Sequence, residues 1–128
     1  MVDTAWERAI TCGDVEAIRR LLLSGFDVNA RNRYGQTALM LAAHHGRQEM
    51  VEILIESGAD LNVTAKYNLS ALMLAVIADH AVIAQLLARA GADLVLRGSG
   101  APAFTGKTAY DLAVDREMEE LYAELEPG

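Results

Sequence analysis

The apolar residues of this chain fall into short helical stripes that return at regular distances. From Val15 to Leu23, Ala17, Ile18, Leu21 and Leu22 lie on one side of a helix. The pattern predicts further helices at about Ala5 to Thr11, Thr37–His45, Gln48–Ser57, Ser70–Ala78 and Ala81–Ala90, and a short acidic one at about Met118 to Leu125. Asp3 or Thr4 can cap the first helix, and Thr37 the third, through a side-chain oxygen that accepts an early helical N–H. Trp6 aligns with Leu39 and belongs in the core. Glu7 and Arg8 align with Met40 and Leu41, so the first helix should turn a polar face outward. The stretch with Leu72, Met73, Leu74, Val76, Ile77, Val82, Ile83, Leu86 and Leu87 is unusually apolar and most of it should be core. Ile77 is the anomaly, because it aligns with His44 on an open face.

The stripes are held in register by a repeat. Gly25-Phe26-Asp27-Val28-Asn29, Gly58-Ala59-Asp60-Leu61-Asn62 and Gly91-Ala92-Asp93-Leu94-Val95 follow one another at steps of 33 residues. Gly35-Gln36-Thr37-Ala38-Leu39-Met40-Leu41-Ala42 is echoed 33 residues on by Asn68-Leu69-Ser70-Ala71-Leu72-Met73-Leu74-Ala75. A fixed period in this range signals stacked units that share one continuous core. Gly13 and Gly46 should end helices in the left-handed conformation, and Asp79 and Asn68 are tolerable substitutes at matching places. The fourth unit opens at Gly106-Lys107-Thr108-Ala109, a step of 38 from Asn68, so five residues are inserted near Gly98-Ser99-Gly100-Ala101-Pro102. Their composition predicts a flexible loop, and insertions in such arrays map to loops on the binding side.

Period, phase and motif together resemble the ankyrin repeat. The family's T-P-L-H-x-A opening reads Thr37-Ala38-Leu39-Met40-Leu41-Ala42 here, its middle reads Gly46-Arg47-Gln48-Glu49-Met50-Val51, and its G-A-D-V-N closing reads Gly58 to Asn62. The resemblance implies an all-α, ankyrin-type helix-turn-helix solenoid, with antiparallel helix pairs joined by protruding turns or β-hairpin loops. It implies a single domain over residues 1–128, with units at about 3–30, 31–63, 64–97 and 103–128 and an inserted loop at 98–102. The short match at the front reads as an N-terminal cap with Met1 as a natural start. Two departures stand out. Met40 and Met73 replace the family's tying histidine, and methionine fills the space with packing instead. Ala38 replaces a proline at the first helical turn.

Composition narrows the function classes. Hydrophobic residues make up 52% of the 128 but aromatics only 5%, which suits closely packed helices of Ala, Leu, Ile, Val and Met. One cysteine, Cys12, excludes an internal disulfide and fits a reducing, cytoplasmic setting. No signal peptide and no apolar run long enough for a membrane span are visible. The net charge is −7, and the segment 111–128 holds seven acids against Arg116, leaving the rest near neutrality. This acidity, a property of one end, argues against general nucleic-acid binding, which needs a basic surface to release counterions.

The resemblance places recognition on the turn tips and on the inner face of the first helix of each unit. Carried over by position, these are Arg31, Arg33, Tyr34, Gln36, His44 and His45 from the second unit. The third adds Lys66, Tyr67, Leu69 and Ile77, and the fourth Phe104 and Lys107. The residue types support this independently, since tyrosine and arginine are enriched in binding hot spots. Tyr34 and Tyr67 should stack along the tips. The basic tips (Arg31, Arg33, Lys66, Arg97, Lys107) would steer a partner with an acidic patch.

Catalytic and cofactor signals are weak. His44, His45 and Glu49 lack a converging third ligand once Gly46 breaks the helix. Cys12 has no activating base, and Gly106-Lys107-Thr108 belongs to the repeat and not to a phosphate-binding loop. The expectation is a non-enzymatic protein-binding module, without cofactor or metal and favoured as a monomer. Self-assembly through the Ile77 region and the acidic end, or a stoichiometric inhibitor or antitoxin using that end, remain open.

Overall fold

A computed structural model describes residues 5–127; Asp3 and Thr4, the expected caps of the first helix, lie outside that range. The helices are α1 (Ala5–Cys12), α2 (Val15–Leu23), α3 (Ala38–His44), α4 (Gln48–Glu56), α5 (Ala71–Ile77), α6 (Ala81–Arg89), α7 (Ala109–Asp115) and α8 (Tyr122–Leu125). Each inner helix after the first starts at a hydroxyl. Thr37 accepts from the Met40 N–H at 3.2 Å, and Ser70 from the Met73 N–H at 3.3 Å. Thr108 accepts from the Asp111 N–H at 3.2 Å, while the Asp111 carboxylate accepts from the Thr108 N–H at 3.0 Å, completing a capping box. The inner helices end where the chain turns left-handed, at Gly13, Gly46, Asp79 and Glu117, with φ of 76°, 73°, 64° and 56°.

Helices α1, α3, α5 and α7 pack side by side as an inner row, with α2, α4 and α6 behind them. Residues 38–43 of α3 are all buried, so this helix is apolar on every side because it is covered on every side but its end. Met40 and Met73, 2% and 1% exposed, pack in the core as their polarity predicts. Trp6 is buried with its ring centroid 5.9 Å from that of Phe26. In α2 only Ile18 is fully buried; Ala17, Leu21 and Leu22 are half-covered, since among the described residues this unit has a neighbour on one side only.

Most of the apolar stretch is core as expected; Val82 is exposed, because α6 turns Ile83, Ala84 and Leu87 inward. Two expectations need correction. Ile77 is half-buried against the core rather than open, and its carbonyl accepts from Arg116 Nε at 3.4 Å. The segment at Met118 to Leu125 is not one helix but a tight turn at Glu119–Leu121 followed by α8. The tips form no strands among the described residues; their pairing shrinks to single bridges, Arg31 to Thr37 and Gly98 to Thr105.

Two hydrogen-bond ladders tie successive units. The Asn29 and Asn62 carboxamide oxygens each accept a backbone N–H one unit on, from Asp60 and Asp93, both at 2.7 Å. Val95 stands in the third place and has no such oxygen, so the ladder stops where the insertion begins. At the other end of the inner helices, the carbonyls of Thr11 and His44 accept from Arg47 Nη2 at 2.6 Å and from His80 Nε2 at 3.2 Å. A carbonyl can only accept, so that His80 nitrogen carries its proton. Both ladders fix the angle between units and hence the spacing of the tips.

Candidate partner-binding surface

The tip of the second unit is organised by a residue outside the expected set. Asn32 is nearly buried, and its side-chain oxygen accepts from the Tyr34 and Gln36 N–H groups, each at 2.9 Å, while its amide donates to the Gln36 side chain at 3.0 Å. An asparagine opening a turn before Gly35 is the signal that would have found it. This turn holds Arg33 and Tyr34 out in solvent. Tyr34 is 67% exposed, and the Arg33 guanidinium carbon lies 5.7 Å from its ring centroid.

The tip of the third unit is built differently. Tyr67 and Asn68 are both left-handed, with φ of 62° and 57°. Asn68 suits that conformation; an aromatic residue there is strained and persists only when its surroundings hold it. The insertion and the residues on either side of it supply the hold. Ser99 N–H donates to the Tyr67 carbonyl at 2.8 Å, and the Asn68 amide donates to the Arg97 carbonyl at 2.9 Å. The Tyr67 ring lies 5.4 Å from that of Phe104, centroid to centroid, and a Cβ on Gly100 would stand 3.1 Å from the Tyr67 ring. The loop is closed by Gly98 N–H to the Lys107 carbonyl and Gly106 N–H to the Gly98 carbonyl, both at 2.9 Å. A loop expected to be flexible is thus hydrogen-bonded over the third tip, and among the described residues the ring partner of Tyr67 is Phe104, not Tyr34.

The remaining predicted residues divide by exposure. Arg31, Arg33, Lys66, His44 and His45 are exposed; Gln36, Ile77, Phe104 and Lys107 are half-buried; Leu69, 5% exposed, belongs to the core. Lys107 pairs with Asp115 in its own unit, and Arg97 donates to the Gly106 carbonyl at 2.7 Å. Arg31, Arg33 and Lys66 enter no ion pair among the described residues.

On the inner face the rings of His44 and His45 lie 5.5 Å apart. Partial desolvation, then the neighbouring charges of His44, Arg47 and His80, hold the His45 imidazole below its ordinary value of 6.5. The unfolded chain therefore binds more protons as the pH falls through that value, and stability should decline there. His45→Ala should flatten this decline in urea midpoints measured on either side of 6.5; an unchanged slope would assign it elsewhere. Among the described residues no three His, Cys, Asp or Glu side chains converge as a metal site.

A double row of helices with tips stiffened by side-chain hydrogen bonds defines a solenoid scaffold that displays a surface. The chain belongs to the ankyrin repeat family: a family model described as ankyrin repeats (3 copies) matches residues 6–98. Ankyrin repeats are generally protein–protein interaction modules rather than enzymes. Two sequences of Rickettsia felis, RF_p14 and RF_pd14, both described as ankyrin repeat proteins, are 49% identical to it over 39 residues, 30% of this chain. The matched stretch spans 62% and 59% of their lengths. Among solved structures, one chain of the complex described as Bd0816 predatory endopeptidase from Bdellovibrio bacteriovorus with immunity protein Bd3460 superposes with a TM-score of 0.86. It is 25% identical, and the match covers 98% of this chain and 63% of that one. No helix among the described residues is long and apolar enough to cross a membrane.

Proposed function

We propose that this chain is a non-enzymatic module that binds a protein through the tips of its second and third units and the adjoining inner helix face. The observation that carries the reading is the set of three tip cations, Arg31, Arg33 and Lys66, left without carboxylate partners beside an exposed Tyr34. An acidic patch on the partner would complete them. We read the whole chain as one array of four units, acting as a cytoplasmic monomer, where the exposed thiol of Cys12 stays reduced. Rigid display keeps the ordering cost of binding low.

Arg33→Ala/Tyr34→Ala tests this. Both side chains are exposed, so thermal unfolding should be unchanged, while affinity for the partner captured by the unaltered protein should fall by about thirtyfold or more, as for a hot-spot pair. Equal affinity in both proteins would remove the tips from the interface. A narrower reading is a stoichiometric inhibitor of an enzyme. The likeness to a chain from an endopeptidase–immunity protein complex supports it. It predicts that a captured enzyme loses its activity at one equivalent of this chain; full activity in the complex would dismiss it.

A further inference from the structure

We propose that the cleft at the root of the second and third tips is an anchor pocket for one large apolar side chain, carried on an acidic segment of the partner protein. The proposal rests on the tip-surface reading and names the partner's chemistry. The cleft encloses about 170 Å³. It is lined by Met40 and Leu69, both nearly fully buried, and by the half-buried Ala65, Leu74 and Tyr67, with Gln36 and Lys66 as its polar lining. An apolar cavity of about 150 Å³ holds benzene, so one benzyl or isobutyl group fits here.

The pocket has a fixed wall and a charged rim. Tyr67 is held in its left-handed conformation by Ser99 and the close approach of Gly100 in the insertion and by Phe104 just after it. The extra residues in the third step of the repeat thus have a structural use: they hold an aromatic wall in place before any ligand arrives, which lowers the cost of binding. The Lys66 ammonium lies 4.9 Å from the Tyr67 ring centroid and has no carboxylate partner among the described residues. Arg31 and Arg33 on the neighbouring tip are likewise without a carboxylate partner among the described residues. A mostly apolar hole with Lys66 in its lining, and Arg31 and Arg33 on the next tip, matches a segment whose apolar residue is flanked by carboxylates.

The test uses a short polyglutamate peptide with a single central phenylalanine, and the same peptide with alanine there. The phenylalanine peptide should bind about tenfold or more tightly than the alanine one. On titration into the unaltered protein it alone should shift the methyl resonances of Met40 and Leu74. Ala65→Leu, which fills the cleft, should abolish the difference and leave binding of the alanine peptide as it was. Equal binding of the two peptides, or unmoved Met40 and Leu74 methyls, would overturn the proposal without relying on any variant's folding. A partner lost by Arg33→Ala/Tyr34→Ala but held at full affinity by Ala65→Leu would overturn the pocket and leave the tip surface standing. A dimer in sedimentation that Ala65→Leu dissociates would give the pocket to the acidic end of a second copy and overturn its assignment to a separate protein.

Discussion

Leu54→Ala should destabilise the chain by about 2–5 kcal/mol, the range for emptying a buried leucine site that cannot collapse. Leu54 is 0% exposed and sits on α4, the outer helix of a unit that has neighbours on both sides. In a stacked array, stability is a sum of unit terms and nearest-neighbour interfaces. A cavity here weakens its own unit and loosens the packing of α4 against both α2 and α6. For a domain of this size the melting temperature should fall on the order of 10 °C. Leu23→Ala is the control: the side chain is 88% exposed, so the change should stay within about 0.5 kcal/mol. Urea unfolding followed by circular dichroism reads both. A loss at Leu54 no larger than that at Leu23 would mean that the outer row is not the continuous core described here.

The contrast between these two leucines shows what the sequence could and could not reveal. Both lie near the C-terminal end of an outer helix, and periodicity identifies both helices. It ranks Leu54 as core because the stripe recurs in units on either side. It says less about end units and element edges, where burial depends on whether a neighbour exists. The exposure of Val82 has the same origin: a densely apolar helix leaves the choice of inward face to packing. The capping role of Thr37 and the left-handed Asn68 and Asp79 were legible because each is a local requirement, and the Ser70 cap follows Thr37 at the same fixed step. Glu117 follows Asp79 at the lengthened step of 38 and could have been found by the same alignment.

The candidate surface was legible at Arg33 and Tyr34, whose exposure is set by a local turn. It was not legible at Tyr67. The conformation of that residue is held by groups about thirty residues away in the insertion, through contacts that no period encodes. Glycine and serine in the loop suggested flexibility, yet Gly98 and Gly100 are there to admit close neighbours. A Cβ on Gly98 would lie 2.4 Å from the Phe104 carbonyl oxygen, a contact that backbone cannot easily relieve. The lesson is specific: a glycine in an inserted loop can mark tight packing as readily as freedom.

Gly46→Ala should cost about 2–3 kcal/mol, and the reason can be separated into parts. Gly46 has a φ of +73°, where an alanine is strained by about 1–2 kcal/mol. A Cβ there would also stand 2.7 Å from His80 Cε1. The imidazole is the far end of a flexible side chain, so it can swing aside, but only by giving up its bond to the His44 carbonyl at 3.2 Å, worth about 1 kcal/mol. Glycine is therefore required twice at this position, once for the turn and once for the tie between the second and third units. Asp79 occupies the equivalent left-handed turn one unit on, so a side chain at this turn is tolerable where no such ring crosses it. Asp79→Gly should change stability by less than about 1 kcal/mol, since relief of strain is offset by the added freedom of the unfolded chain. A double-mutant cycle decides between the two parts. In a His80→Ala background, Gly46→Ala should lose the contact term and retain the backbone term alone, giving a coupling of about 1 kcal/mol. Equal costs in both backgrounds would show that the turn conformation alone demands glycine, and that the His80 tie does not bind the units together.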